Sequence, residues 1–161
     1  WACVGHKLDY AHRSWIEPGH WRTEDMQKAN EDAAELYRSW QKDVQVEEYR
    51  LEDAEVVLTG YGISGRICKS AVDILCAQGI KAGLIRPITV NPFPYAACDH
   101  IDYGRVKAVL DVEMSIPAQF VKDVMVGVKD RCPIETCLCS GGNIMSREKV
   151  LAAAKKIVEG K

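Results

Sequence analysis

No two of the seven cysteines stand in a Cys-x-x-Cys spacing: they are Cys3, Cys68, Cys76, Cys98, Cys132, Cys137 and Cys139. That excludes a paired zinc knuckle and a thioredoxin-type dithiol. The odd count and irregular spacing offer no disulfide framework, so the thiols read as small buried hydrophobes in a reducing, cytoplasmic compartment. Long apolar runs are missing too. Nothing approaches the ~18 residues that would span a bilayer, and no basic start leads into the apolar stretch of a signal peptide. Charge of either sign is nearly balanced, with 21 Lys and Arg against 23 Asp and Glu and a net of −2. That leaves no electrostatic footprint for a nucleic acid or an anionic membrane. The chain begins at Trp1 rather than Met, as expected of a fragment, a processed product or a renumbered chain.

What is present is globular. The 161 residues are 47% hydrophobic and 27% charged, the composition of one ordinary domain or of a domain with an arm. The distribution is uneven. All four tryptophans (Trp1, Trp15, Trp21 and Trp40) lie in the first fifty residues, which carry a net charge of −3. Residues 51–161 carry +1. A boundary is placed near 51–53, dividing an N-terminal arm and linker helix (1–52) from an α/β domain (53–161).

Residues 1–22 have no clear period. Thr23 offers an N-cap with Glu24 and Asp25 in the first turn. Met26, Ala29, Ala33, Leu36, Tyr37, Trp40 and Val44 then form one apolar stripe on a helix of about twenty residues. From residue 54 strands and helices alternate. Strands are expected at Ala54–Thr59, Ile80–Ile85, Val106–Val112 and Ile134–Cys139. A helix led by Ile63 stops at Gly79, one capped by Ser115 has Pro117 in its first turn, and one is capped by Ser146. Residues 87–105, broken by Pro87, Pro92 and Pro94, form a loop with one short helix. Strands separated by helix-length segments predict a mostly parallel sheet with helices on both faces.

Several residues have chemistry to weigh. Gly60-Tyr61-Gly62-Ile63-Ser64-Gly65 fits G-x-G-x-x-G between a strand and a helix. Gly60, Gly62 and Gly65 could bring a phosphate to the helix N-terminus, with Arg86 on the 2′-phosphate of NADP. The bulk of Tyr61 and the following Pro87 favour a structural turn instead. Cys3, His6, His12 and His20 fit no zinc spacing. Cys137 and Cys139 share a strand face and pack. Glu113 closes the third strand, where it either faces a ligand crevice or pairs locally. Ser115 lacks the nucleophile-elbow context, and His100 has no evident acid–base partner. No constellation declares a reaction.

One resemblance carries the reading further. Asp53–Gly62, Gly65-Arg66, Lys69–Asp73, Gly79–Ile88 and Pro92-Phe93-Pro94 closely resemble the alpha subunit of 2-oxoacid:ferredoxin oxidoreductases. Val109–Met114, Gln119, Asp123-Val124 and Gly141-Gly142 fit as well. Trp1–Gly5, Glu17-Pro18, Asn30 and Tyr37 resemble the arm of the 2-oxoisovalerate (branched-chain) members. Pro117-Ala118 departs from the glycine usual there. The resemblance implies a transketolase C-terminal-like domain with a non-catalytic assembly role. The whole enzyme of anaerobic metabolism would form an acyl-coenzyme A from a 2-oxoacid, using thiamine diphosphate, magnesium and an iron–sulfur cluster. These cofactors are expected on other parts, and none on this chain. The implied partners are beta, gamma and ferredoxin-like subunits, with ferredoxin reached through the complex. Arg86, Pro92, Phe93 and Glu113 are the expected interface residues, and a free-standing NADP module is the alternative.

Overall fold

The computed structural model describes residues 22–160. The candidate arm ligands Cys3, His6, His12 and His20, three of the four tryptophans and the expected irregular segment lie outside them. The chain separates into two compact units, Trp1–Gln41 and Lys42–Lys161.

In the first unit, α1 spans Thr23–Ser39. It is shorter than the stripe suggested, and Thr23 is its first residue rather than its cap. Arg22 occupies the N-cap position without a side-chain bond. None of the residues of α1 is buried, and Leu36 and Tyr37 are more than half exposed. A short 3₁₀ turn follows at Trp40–Asp43.

The second unit contains β1 (Val46–Tyr49), β2 (Val56–Thr59), α2 (Gly62–Ala77), β3 (Ala82–Pro87) and β4 (Ala108–Glu113). After these come α3 (Val121–Val128), β5 (Ile134–Leu138) and α4 (Arg147–Glu159). The sheet order is β1-β3-β2-β4-β5, with β1 antiparallel to β3 and every other pair parallel. Strands β2 and β4 are buried on two faces, as a parallel sheet covered on each side demands, and are apolar but for Thr59, Asp111 and Glu113. Leu58, Leu84, Leu110 and Val112 meet α2 and α4 on one face. Val57, Ile85 and Val109 meet α3 and the 3₁₀ segment Tyr95–His100 on the other.

Strand β1 has no counterpart among the expected elements, and it lies ahead of the boundary placed near 51–53. Its residues Val46-Glu47-Glu48-Tyr49 look too acidic for a core strand. At the sheet edge they work because each glutamate finds a nitrogen partner on its own face. Glu47 pairs with Lys69 of α2 and with Arg86 opposite it on β3, while Glu48 meets His100 at 2.9 Å. The tyrosine hydroxyl of Tyr49 donates to Asp73 of α2 at 2.8 Å.

The helix expected from Ser115 starts later, at Val121, and Ser115 does not cap it. Ser146 does cap α4, accepting from the Lys149 amide at 3.2 Å. Gly79 follows α2 at φ +84°, and the 87–105 loop contains its one short helix.

Candidate functional site

The winding reverses at β2. From it the chain crosses through α2 to β3 on one side, then returns over β2 to β4 and continues through α3 to β5 on the other. The carboxyl ends of β2 and β4 therefore flank the topological switch point, where sheets of this kind bind ligands or partners. Two sequence features meet there: the Gly60–Gly65 turn after β2 and Glu113 at the end of β4.

The outer glycines of the turn serve packing. A Cβ on Gly60 would stand 2.9 Å from the Val112 carbonyl oxygen, and one on Gly65 would stand 2.6 Å from the Gly60 oxygen and 2.8 Å from Cγ of Arg86. Both positions are closed by this chain's own atoms. Gly62 is the exception: its φ is +54° and a Cβ would meet nothing. Arg86 is not free to greet a phosphate. Its stem lies on Gly65, and Nη1 donates to Glu47 Oε2 at 3.0 Å. Lys69, then Arg86, hold the Glu47 carboxyl below its ordinary range. The geometry gives the nucleotide alternative no support.

Glu113 is almost wholly buried, at 1% exposure. Its carboxylate accepts from the amides of Gln119 (3.0 Å), Phe120 (3.2 Å) and Val121 (3.3 Å), and from the Ser115 hydroxyl. These amides open α3, so a strand residue caps the helix that Ser115 was expected to cap. Burial alone would raise the Glu113 pKa. The Ser115 hydroxyl and the Gln119 and Phe120 amides outweigh it and hold the group below the ordinary carboxylate range. Beside it, Asp111 is fully buried, and burial followed by its neighbour Glu113 pushes its pKa up to about 8. Sequence reading passed over Asp111. The available signal was an aspartate in the otherwise apolar Val109–Val112 run.

Of the four expected interface residues, Phe93 and Glu113 are turned into the protein, at 3% and 1% exposure. Arg86 and Pro92 are half-buried. Rings link this end of the sheet: Tyr61 meets Phe120 at 5.0 Å between centroids, Phe120 meets Phe93 at 5.6 Å, and Phe93 meets Tyr95 at 4.9 Å.

The exposed large hydrophobics are distributed asymmetrically. Tyr61 and Ile63 follow β2, Ile88 and Val90 follow β3, Met114 and Ile116 follow β4, and Ile144 follows β5. These seven sit at the carboxyl end of the parallel strands; the others exposed in this unit are Tyr95 in the 3₁₀ segment and Met125 and Val126 on α3. Among the described residues, the loops entering those strands carry none. A cavity of about 440 Å³ lies at the opposite end between α4 and β4–β5, bordered by Lys107, Leu110, Pro133, Glu135 and Lys156. It gathers no catalytic set.

Among the described residues no three His, Cys, Asp or Glu side chains are grouped to hold a metal. They therefore do not fit an iron–sulfur cluster, and no step is derived through one. Six cysteines, Cys68 to Cys139, are free thiols. No helix among the described residues is long and apolar enough to cross a membrane.

The family described as pyruvate:ferredoxin oxidoreductase core domain II matches residues 54–150. Ketoisovalerate oxidoreductase subunit VorB of Methanothermobacter marburgensis is 40% identical over 119 residues, 73% of this chain and 32% of the relative. The VorB subunit of Methanothermobacter thermautotrophicus is 36% identical over the same shares. The chain thus spans about a third of the length of these relatives. Among solved structures, 2-oxoglutarate:ferredoxin oxidoreductase from Magnetococcus marinus, with 2-oxoglutarate, coenzyme A and succinyl-CoA bound, superposes with a TM-score of 0.70 at 18% identity. That match covers 86% of this chain and 24% of the other, and it shows the fold.

Proposed function

This chain belongs to the pyruvate:ferredoxin oxidoreductase core domain II family, and from that membership we propose that it is a non-catalytic assembly domain of a 2-oxoacid:ferredoxin oxidoreductase. The relatives named as ketoisovalerate oxidoreductase subunits favour a branched-chain 2-oxoacid as the substrate of the whole enzyme. In this reading thiamine diphosphate, magnesium, the iron–sulfur cluster and the coenzyme A site belong to other parts of a cytoplasmic complex that hands electrons to ferredoxin.

The observation that carries the assembly role is the apolar surface at the carboxyl end of the sheet. A soluble domain rarely leaves large side chains from four successive loops exposed on one side unless something covers them. Tyr61, Ile88, Ile116 and Ile144 are the contact residues we assign to it. Arg86 and Pro92 stand at its margin, and Phe93 and Glu113 support it from beneath.

The test is co-expression with a beta-type subunit of such an oxidoreductase. The wild-type chain is expected to co-purify with it. Ile116→Glu with Ile144→Glu, at positions 62% and 75% exposed, should keep the circular dichroism of the fold and reduce capture at least tenfold. A wild-type chain that captures no such subunit, or a double variant that captures it undiminished, defeats the proposal. Saturable NADPH binding, seen as a change in nicotinamide fluorescence, would restore the nucleotide alternative; a flat titration is expected.

A further inference from the structure

Asp111 and Glu113 stand two residues apart on β4, so both project toward the α3 face of the sheet. Their situations differ. The three amides that open α3 all donate to Glu113, whereas neither carboxyl oxygen of Asp111 has a hydrogen-bond partner. Asp111 has no exposed surface at all. An ionised carboxylate cannot be kept in such a place without a donor, so the group holds its proton. The titratable groups that act on it are Glu113 on its own strand, Cys68 from α2 and Cys137 from β5. Burial raises both thiols, which are neutral, and no cation acts on Asp111 from these elements.

We propose that Asp111 is a positioning residue for the docking surface: it keeps its proton beside the ionised Glu113, so that the pair carries a single negative charge and that charge holds the start of α3. Two carboxyls on one buried strand face cannot both ionise without strong repulsion, and the one without donors is the one that stays protonated. The inference rests on the assembly reading, because the loop gripped by Glu113 presents Met114 and Ile116 to that surface. Ionising Asp111 sets a second charge beside Glu113 with no donor to meet it. The hold on Gln119, Phe120 and Val121 then weakens.

The pH dependence has a definite sign. The folded chain keeps on Asp111 a proton that the unfolded chain releases near pH 4. Wild-type stability therefore falls as pH rises from about 4 to about 8, the value to which burial and Glu113 bring this group, and levels off above it. Glu113, with its lowered pKa, contributes in the opposite sense in acid, and that contribution is common to wild type and an Asp111 variant.

The test is carried out on the 161-residue chain. Carbon-13 NMR of the Asp111 carboxyl should show a midpoint at about 8. The amide signals of Gln119, Phe120 and Val121 should shift with that same midpoint. In Asp111→Asn those amide shifts should be absent, and the gain in urea midpoint over wild type should widen from pH 5 to 8 and then level. An Asp111 carbon titrating near pH 4, or amides that ignore its titration, overturns the proposal on wild-type protein alone, whatever the variant does. Because the spectra need no partner, they also separate the two readings. A chain that shows the shared midpoint but captures no subunit defeats only the assembly role, and the reverse result defeats only this inference.

Discussion

Glu113→Ala is expected to unfold the chain at a temperature roughly 10 °C below wild type, from a loss of about 4 kcal/mol. The change strips the acceptor from the amides of Gln119, Phe120 and Val121 and from the Ser115 hydroxyl. Each buried donor left unpaired costs about 1–3 kcal/mol, and water reaching the more exposed Gln119 brings the sum down. The side chain itself is 1% exposed, so its removal also leaves a void under α3. Glu113→Gln keeps the volume and one carbonyl oxygen, and should lose about half as much. Urea denaturation followed by circular dichroism reads both. An alanine variant within 1 kcal/mol of wild type would show that the carboxylate does not hold the helix. The effect should be smaller in acid, where wild-type Glu113 takes up a proton and loses the same grip.

The second large effect separates the glycines of the Gly60–Gly65 turn. Gly65→Ala is expected to cost about 3 kcal/mol, at the upper end for overpacking. Its Cβ would sit 2.6 Å from a main-chain oxygen, that of Gly60, which cannot swing aside as a flexible side chain can. It would also press on the stem of Arg86, which is tied to Glu47. Gly62→Ala meets open space and suffers only from its positive φ, for about 1 kcal/mol. If thermal melts rank the two variants the other way, α2 does not pack on β2 as closely as described. A motif that looks like a phosphate cradle would then have to be reconsidered, because its third glycine would not be closing a helix onto a strand.

Much of the architecture was legible because local patterns recorded it. Apolar runs marked β2, β3 and β4, and the helix-spaced stripe marked α2. Ser146 marked the start of α4, and Gly79 marked the end of α2. What escaped shares one cause: the partners were distant in sequence. Strand β1 was assigned no element because Glu47 and Glu48 find Arg86, Lys69 and His100 only after folding. The start of α3 was misplaced because its cap comes from the preceding strand, while Ser115, the local candidate, turns its hydroxyl to Glu113. Phe93 and Glu113 were expected to face a partner. Glu113 does close β4 and Phe93 lies in the loop beyond β3, but both point inward, under α3. Asp111 could be noticed as a break in an apolar run, but its perturbation comes from burial, which no spacing encodes.

The sequence by itself determined that this chain is an α/β domain without a Cys-x-x-Cys pair, an even cysteine framework or a run long enough to span a membrane. Those conclusions follow from composition and from contacts a few residues apart, which a linear order preserves. Only the tertiary structure decided which side of the sheet is left apolar and open, that Gly60 and Gly65 are closed by this chain's own atoms, and that Asp111 is buried without a partner beside a Glu113 that has several. Each depends on how far a group lies from water and from groups tens of residues away. The missing cysteine pairs with which the reading began excluded certain sites, whereas the buried, unpartnered Asp111 had to wait for the fold.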